Sequence, residues 1–282
     1  MNRILCLLAV GAVGAGCAVT AAEPDPAVRV NTLLPADAIL LGEQHDAPEH
    51  QRIHRDVIDA LAARGALGAV ALEMAPQGGS TSELPRDASE SQVQAALRWS
   101  SGWPWAAYGP AVMAAVRAGV PVLGANLPRA EMRTAMAESQ LDALLPGPAL
   151  KAQQQAIRLG HCDMLPETQI VPMTRIQIAR DRAMAQTLVS LAVPGKTVVL
   201  LAGGRHVDRQ VGVPLHLPAG LRTKVVTLRA GAAPDDGRSV IDADATWTTP
   251  PVDHKDYCAG VRPPGATMQE PPAGTARPAP PN

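Results

Sequence analysis

Short apolar runs, each closed by a glycine or a polar residue, constrain this chain more than any other feature. They read Ala38-Ile39-Leu40-Leu41, Ala69-Val70-Ala71-Leu72, Val120-Pro121-Val122-Leu123, Val198-Val199-Leu200-Leu201 and Val225-Val226-Thr227-Leu228. Four or so apolar residues in a row, without the alternation of a half-exposed strand, suit strands buried on both faces, as in a parallel sheet. Helical patterns lie between them. Asp46-Ala47-Pro48-Glu49 offers an N-cap, an early proline and a glutamate at N3. Ile53, Val57 and Leu61 then share one face up to a stop at Arg64-Gly65. Further helices are expected over 108–117, around 153–159 and over 174–191, and residues 77–90, which have no period, read as a surface loop. Strand–helix alternation predicts an α/β fold, a single domain with a mostly parallel central sheet flanked by helices.

Composition narrows the functions open to such a domain. The 25 basic and 26 acidic side chains nearly cancel, which argues against a nucleic-acid or polybasic membrane binder. Four Trp, two Tyr and no Phe leave an aliphatic core and no aromatic groove for single-stranded nucleic acid. The N-terminus, Met1-Asn2-Arg3 followed by an apolar stretch and Gly14-Ala15-Gly16-Cys17, reads as a signal peptide over 1–22 with a lipobox ending at Cys17. Cleavage near Thr20-Ala21-Ala22, releasing a soluble protein, is the alternative. Residues 259–282 form a Pro-rich tail without an apolar pattern, so the folded domain is expected over 24–258. With Cys6 in the signal and Cys17 lipidated, Cys162 and Cys258 remain, either as one disulfide closing a long loop or as two thiols.

Polar residues gather where the apolar runs stop. Gly42-Glu43-Gln44-His45, Glu73-Met74, Gly124-Ala125-Asn126 and Gly203-Gly204-Arg205-His206 each follow a run. A parallel sheet would bring Glu43, His45, Glu73, Asn126 and His206 to one edge, where open α/β folds place their ligands. Each has a plainer reading: Glu43 as a helix cap, Glu73 as half of a structural ion pair with Arg180, the histidines as loop residues. His50 and His54, four apart, could pair as metal ligands, although a solvated helix face explains them better. Gly160-His161-Cys162-Asp163-Met164 combines soft ligand types, or simply stops a helix. Trp103-Pro104-Trp105-Ala106-Ala107-Tyr108 concentrates the few rings, either as a platform for a flat apolar ligand or as loop packing. Tyr108 is one of two phenols able to ligate iron. No Gly-x-Ser-x-Gly elbow and no Gly-rich phosphate fingerprint occurs.

Taken in order, these motifs resemble the ChaN-like family of haem-binding lipoproteins, part of the Tiki and TraB superfamily. The resemblance is carried by Leu40-Leu41-Gly42-Glu43-Gln44-His45-Asp46, Leu72-Glu73-Met74, the Trp and Tyr-Gly-Pro segment to Pro110, and Gly124-Ala125-Asn126-Leu127-Pro128-Arg129. It continues through His161-Cys162-x-Met164-Leu165-Pro166, Ala179-Arg180-Asp181-x-x-Met184, Ala202-Gly203-x-x-His206 and Gly212-Val213-Pro214. The resemblance implies an exported α/β domain that binds haem for iron uptake, held by a lipid anchor at the outer membrane and facing the periplasm or cell surface. It places Glu43, His45, Glu73 and His206 in a polar centre, with Tyr108, Asn126, His161 and Arg180 around it as haem contacts. Met74, Met113, Met164 and Met184 are expected to line an apolar pocket, and a homodimer is one way to shelter haem between subunits. The alternative is a metal-dependent hydrolase in which Glu43, His45 and His206 hold a divalent ion, with Glu73 beside them. A catalytically dead scaffold is a third.

Overall fold

The structure, a computed structural model, describes residues 25–232, 241–253 and 255–261. The signal reading and nearly all of the Pro-rich tail therefore lie outside the described residues. In chain order the elements are α1 (Pro26–Asn31), β1 (Ala38–Glu43), α2 (Pro48–Ala63), β2 (Leu67–Pro76), α3 (Glu90–Ala96), α4 (Trp105–Ala118) and β3 (Val122–Asn126). They continue with α5 (Met132–Ala137), α6 (Gly147–Gly160), α7 (Glu167–Leu191), β4 (Thr197–Gly203), α8 (Gly204–Val207), β5 (Thr223–Ala230) and β6 (Ala245–Thr249).

All five apolar runs become strands, in the order β3-β2-β4-β1-β5-β6, and every named pairing is parallel. The alternation of side chains along each strand then explains why the runs are apolar at every position. Ile39, Leu41, Val70, Leu72, Val199 and Leu201 point to one face, where Val57 and Leu61 of α2 and Val112 and Val116 of α4 cover them. Ala38, Leu40, Ala69, Ala71, Val198 and Leu200 point to the other, under Met184 and Leu188 of α7. Met74, Met113 and Met184 are buried and do not border the large cleft described below, which corrects the expectation for them; Met164 is only half-buried near the end of α6. The sixth strand was not expected: Ala-Thr-Trp-Thr-Thr has one large apolar residue, Trp247, and pairs only with β5.

Two local expectations also change. The helix α2 starts one residue later than its cap motif suggested, with Ala47 at the N-cap and Pro48 at N1, so Asp46 caps nothing there. Its histidines are not solvated. His50 and His54 are 0% and 1% exposed, because they share the buried side of α2 with Val57, Ile58 and Leu61. Among the described residues, no helix is long and apolar enough to cross a membrane.

Candidate functional site

The parallel sheet delivers Glu43, His45, Glu73 and His206 to its carboxyl edge, as expected from the ends of the runs. There they form the floor of a cleft of 1270 Å³. Two glycines make the floor possible. A Cβ on Gly42 would sit 2.3 Å from Val207 Cγ2, so only glycine lets α8 close onto β1. A Cβ on Gly203 would sit 2.9 Å from His45 Nε2, so only glycine lets the imidazole lie over this backbone.

Two charged groups of residues share the floor. In the first, Glu43 is fully buried at the end of β1 and accepts three hydrogen bonds: from Tyr108 Oη at 2.6 Å, His45 Nδ1 at 2.7 Å and Gln51 Nε2 at 2.5 Å. Burial alone would raise the Glu43 pKa, but the His45 bond and the nearby His54 outweigh it and hold it below the usual range. For His45 burial pulls downward, and the bond to Glu43 reverses it to a net rise. Its side chain is 41% exposed, and Nε2 lies 4.0 Å from Glu73.

In the second group His206 sits between two carboxylates. Nδ1 is 2.5 Å from Asp181 and Nε2 is 3.3 Å from Glu73. Burial would strip its proton, but Glu73 and Asp181 prevail and hold its pKa up at about 10. Both ring nitrogens therefore donate, and the imidazolium is fixed. Glu73 also accepts from the Gly203 N–H at 2.7 Å, and although burial opposes ionisation, His206 draws its pKa down to about 2. Asp181 is pushed up to about 6 by burial, which His206 only partly counters. Among the described residues, no three His, Cys, Asp or Glu side chains are arranged to hold a metal ion, so the ion site built from Glu43, His45 and His206 finds no geometric support.

The remaining expected residues take other parts, Asn126 at the same sheet edge and Tyr108 at the border of the cleft among them. Tyr108 borders the cleft yet is 1% exposed, its hydroxyl committed to Glu43, and burial beside that carboxylate pushes its pKa well up. It orients Glu43, and its phenol is not presented to a ligand. Asn126 donates to the Glu73 carbonyl at 2.8 Å and props the end of β2. Arg180 is not the partner of Glu73; its Nε is buried without a hydrogen bond and its Nη2 lies 4.0 Å from Met132 Sδ. His161 turns Nδ1 back to the Ile157 carbonyl at 2.8 Å, and its neighbour Cys162 is bonded to Cys258, so no soft-ligand cluster forms. His50 accepts from the Gln44 N–H through Nδ1 at 2.9 Å, so Nε2 carries the proton and donates to Thr249 at 3.1 Å. Burial depresses its pKa to about 4, making it a neutral structural link between α2 and β6.

Several residues were missed. Asp181 lies within the Ala179-Arg180-Asp181 motif, and its signal is an acid on the apolar side of α7. Trp103, read only as part of a ring cluster, is the tryptophan that faces the cleft, its ring 4.9 Å from His45 and 5.8 Å from Tyr108. Trp99 and Trp105 pack at the edge of the core instead. The outer wall carries Arg229, Lys255 and Tyr257, which no spacing pointed to.

The family model described as "Haem-binding uptake, Tiki superfamily, ChaN" matches residues 29–217. A solved structure of cofacial haem binding to ChaN of Campylobacter jejuni superposes with a TM-score of 0.63 at 28% identity, covering 73% of this chain and 87% of that one. The type III effector HopBA1 matches at a TM-score of 0.42 and 14% identity, over 81% of this chain and 95% of that one. A mutant of the erythromycin esterase EreC in its open conformation matches at 0.44 and 14%, over 72% of each chain. No curated protein matches the sequence.

Proposed function

Because the chain belongs to the ChaN family of haem-binding uptake proteins in the Tiki superfamily, we propose that its cleft binds haem and serves haem-iron uptake. One observation carries this reading. The cleft places His45, its Nδ1 held by Glu43, beside the Trp103 ring, and Leu228, Ile241 and Val252 add apolar lining to the same cleft. A carboxylate that holds one imidazole nitrogen and leaves the other without a hydrogen bond is the arrangement that orients a histidine toward a metal, and among the described residues His45 Nε2 has only Glu73, 4.0 Å away. The volume of 1270 Å³ exceeds the roughly 300–1,000 Å³ that ordinary small ligands need, which suits a macrocycle. The donor set therefore fits haem: His45 Nε2 would hold the iron, Trp103 and the apolar side would take the ring edge, and Tyr108 would position Glu43.

Titration of the purified protein with haemin tests this. A saturable shift of the Soret band is expected for the wild type, and a clear weakening for His45→Ala. Absence of any shift in the wild type contradicts the reading.

The same proposal puts the protein, after export, on a lipid anchor at Cys17 at the outer membrane, facing the periplasm or cell surface. The signal and lipobox pattern supports this, and the Cys162–Cys258 bond suits an oxidising compartment. A homodimer sheltering haem between two clefts is the proposed assembly, supported by the cofacial haem binding of the Campylobacter jejuni protein.

A further inference from the structure

The family match ends at residue 217, and the outer wall of the cleft lies beyond it. That wall is made by Leu228, Arg229 and Ala230 at the end of β5 and by Val252, Asp253 and residues 255–258 after β6. Residues 255–261 are exposed and belong to no helix or strand. Their backbone hydrogen bonds are local, from Ala259 to Asp256 and from Val261 to Cys258. Among the described residues, the bond from Cys258 to Cys162, 96 residues away, and the Tyr257 hydroxyl donating to Asp46 tie this segment to the body. So little buried surface cannot offset the entropy of ordering the segment, so the covalent link decides whether it stands as a wall.

The wall also carries a particular charge pattern. Arg205, Arg229 and Lys255 line the cleft, and among the described residues none has an ion-pair partner. Arg205 donates to Gln153, and Lys255 lies 4.9 Å over the Tyr257 ring. Asp46, Asp253 and Asp256 share the rim, but Asp46 is engaged by Gln44 and Tyr257, and Asp256 by the Cys258 N–H. On the floor Glu43 and Glu73 are matched by His45 and His206. Lys255 and Arg205 act on Asp46 and Asp181 only from beyond ion-pair contact, and cations so placed beside apolar lining suit a flat amphiphile bearing carboxylates.

We propose that the segment after β6 is a strap, fastened by the Cys162–Cys258 bond, on which Lys255, together with Arg229, binds the carboxylate groups of the bound tetrapyrrole. This rests on the haem reading and extends the site beyond the region that the family match reaches. Cys162 and Cys258 act as positioning residues, since their bond holds the strap in place.

The test compares haemin with its dimethyl ester, whose side chains are neutral. The wild type is expected to prefer haemin by about tenfold or more, the worth of a charge-assisted hydrogen bond. The double variant Lys255→Gln/Arg229→Gln should bring the two affinities close together while its affinity for the ester stays unchanged. The double variant Cys162→Ser/Cys258→Ser, held where its melting curve shows it folded, should release haemin to apomyoglobin about tenfold faster than the wild type. Three results would each overturn the strap and leave haem binding standing: equal wild-type affinity for the two ligands, full discrimination in the glutamine variant, or wild-type release by the serine variant. Binding of neither ligand by the wild type would overturn both readings.

Discussion

On the floor of the cleft Glu43, Glu73, Asp181, His45 and His206 answer one another, whereas along the outer wall, among the described residues, Arg229 and Lys255 stand without an ion-pair partner within 4 Å. The floor is positioned by the ends of β1, β2 and β4 and by α7, all packed into a dry core. The wall is positioned by the end of β5, a disulfide and one phenol. The two regions therefore differ in what a substitution removes. On the floor it exposes a buried charge to an apolar surrounding, and on the wall it removes a contact that water replaces.

The largest test of this contrast is His206→Ala. It leaves Glu73 and Asp181 buried side by side without their shared cation, and the expected cost is about 3–5 kcal/mol, read from thermal or urea melts. A loss below about 1 kcal/mol would show that the floor is not held by charge. A smaller effect comes from titrating that cation rather than deleting it. The folded pKa of His206, about 10, lies above its ordinary 6.5. The stabilisation is thus complete below 6.5 and is lost as the pH rises through about 10. Melts from pH 7 to 10.5 should show an alkaline decline in the wild type that His206→Gln lacks; identical slopes would remove the imidazolium from the account.

The chain's two phenols sharpen the comparison further. Tyr108→Phe takes a hydrogen bond from a buried carboxylate, with an expected cost of about 1.5–3 kcal/mol. Tyr257→Phe, on a residue 59% exposed, should stay within about 0.5 kcal/mol. Since the Tyr108 hydroxyl faces Glu43, its removal should also leave the spectrum of bound haemin unchanged; a lost or shifted ligand band would make Tyr108 an iron contact after all.

This contrast also decides what was legible beforehand. Glu43, His45, Glu73 and His206 could be placed together from the chain alone because a parallel sheet collects whatever follows its strands at one edge. Asp181 escaped because an acid on the apolar side of a helix shows that it is buried but not which partner it meets. His50 and His54 were misread for the same reason: a polar helix face normally means water, yet the partner that satisfies His50 is Thr249, 199 residues away. The wall was illegible throughout. The β6 segment has one apolar anchor, the residues after it have no period, and a disulfide pairing between two cysteines 96 residues apart does not follow from spacing. Tyr108 shows the converse. It was singled out because rings are scarce, but scarcity marks where packing is specific and does not reveal which way a hydroxyl points.

The central claim is that haem lies between the floor and the wall. A crystal structure of the protein with haemin, with an anomalous difference map at the iron edge, tests it most directly. The account predicts an iron peak inside the cleft, beside His45 and Trp103, with the carboxylate side of the macrocycle toward Arg229 and Lys255. An iron peak outside the cleft, or a haem whose carboxylates point away from those cations, would contradict it.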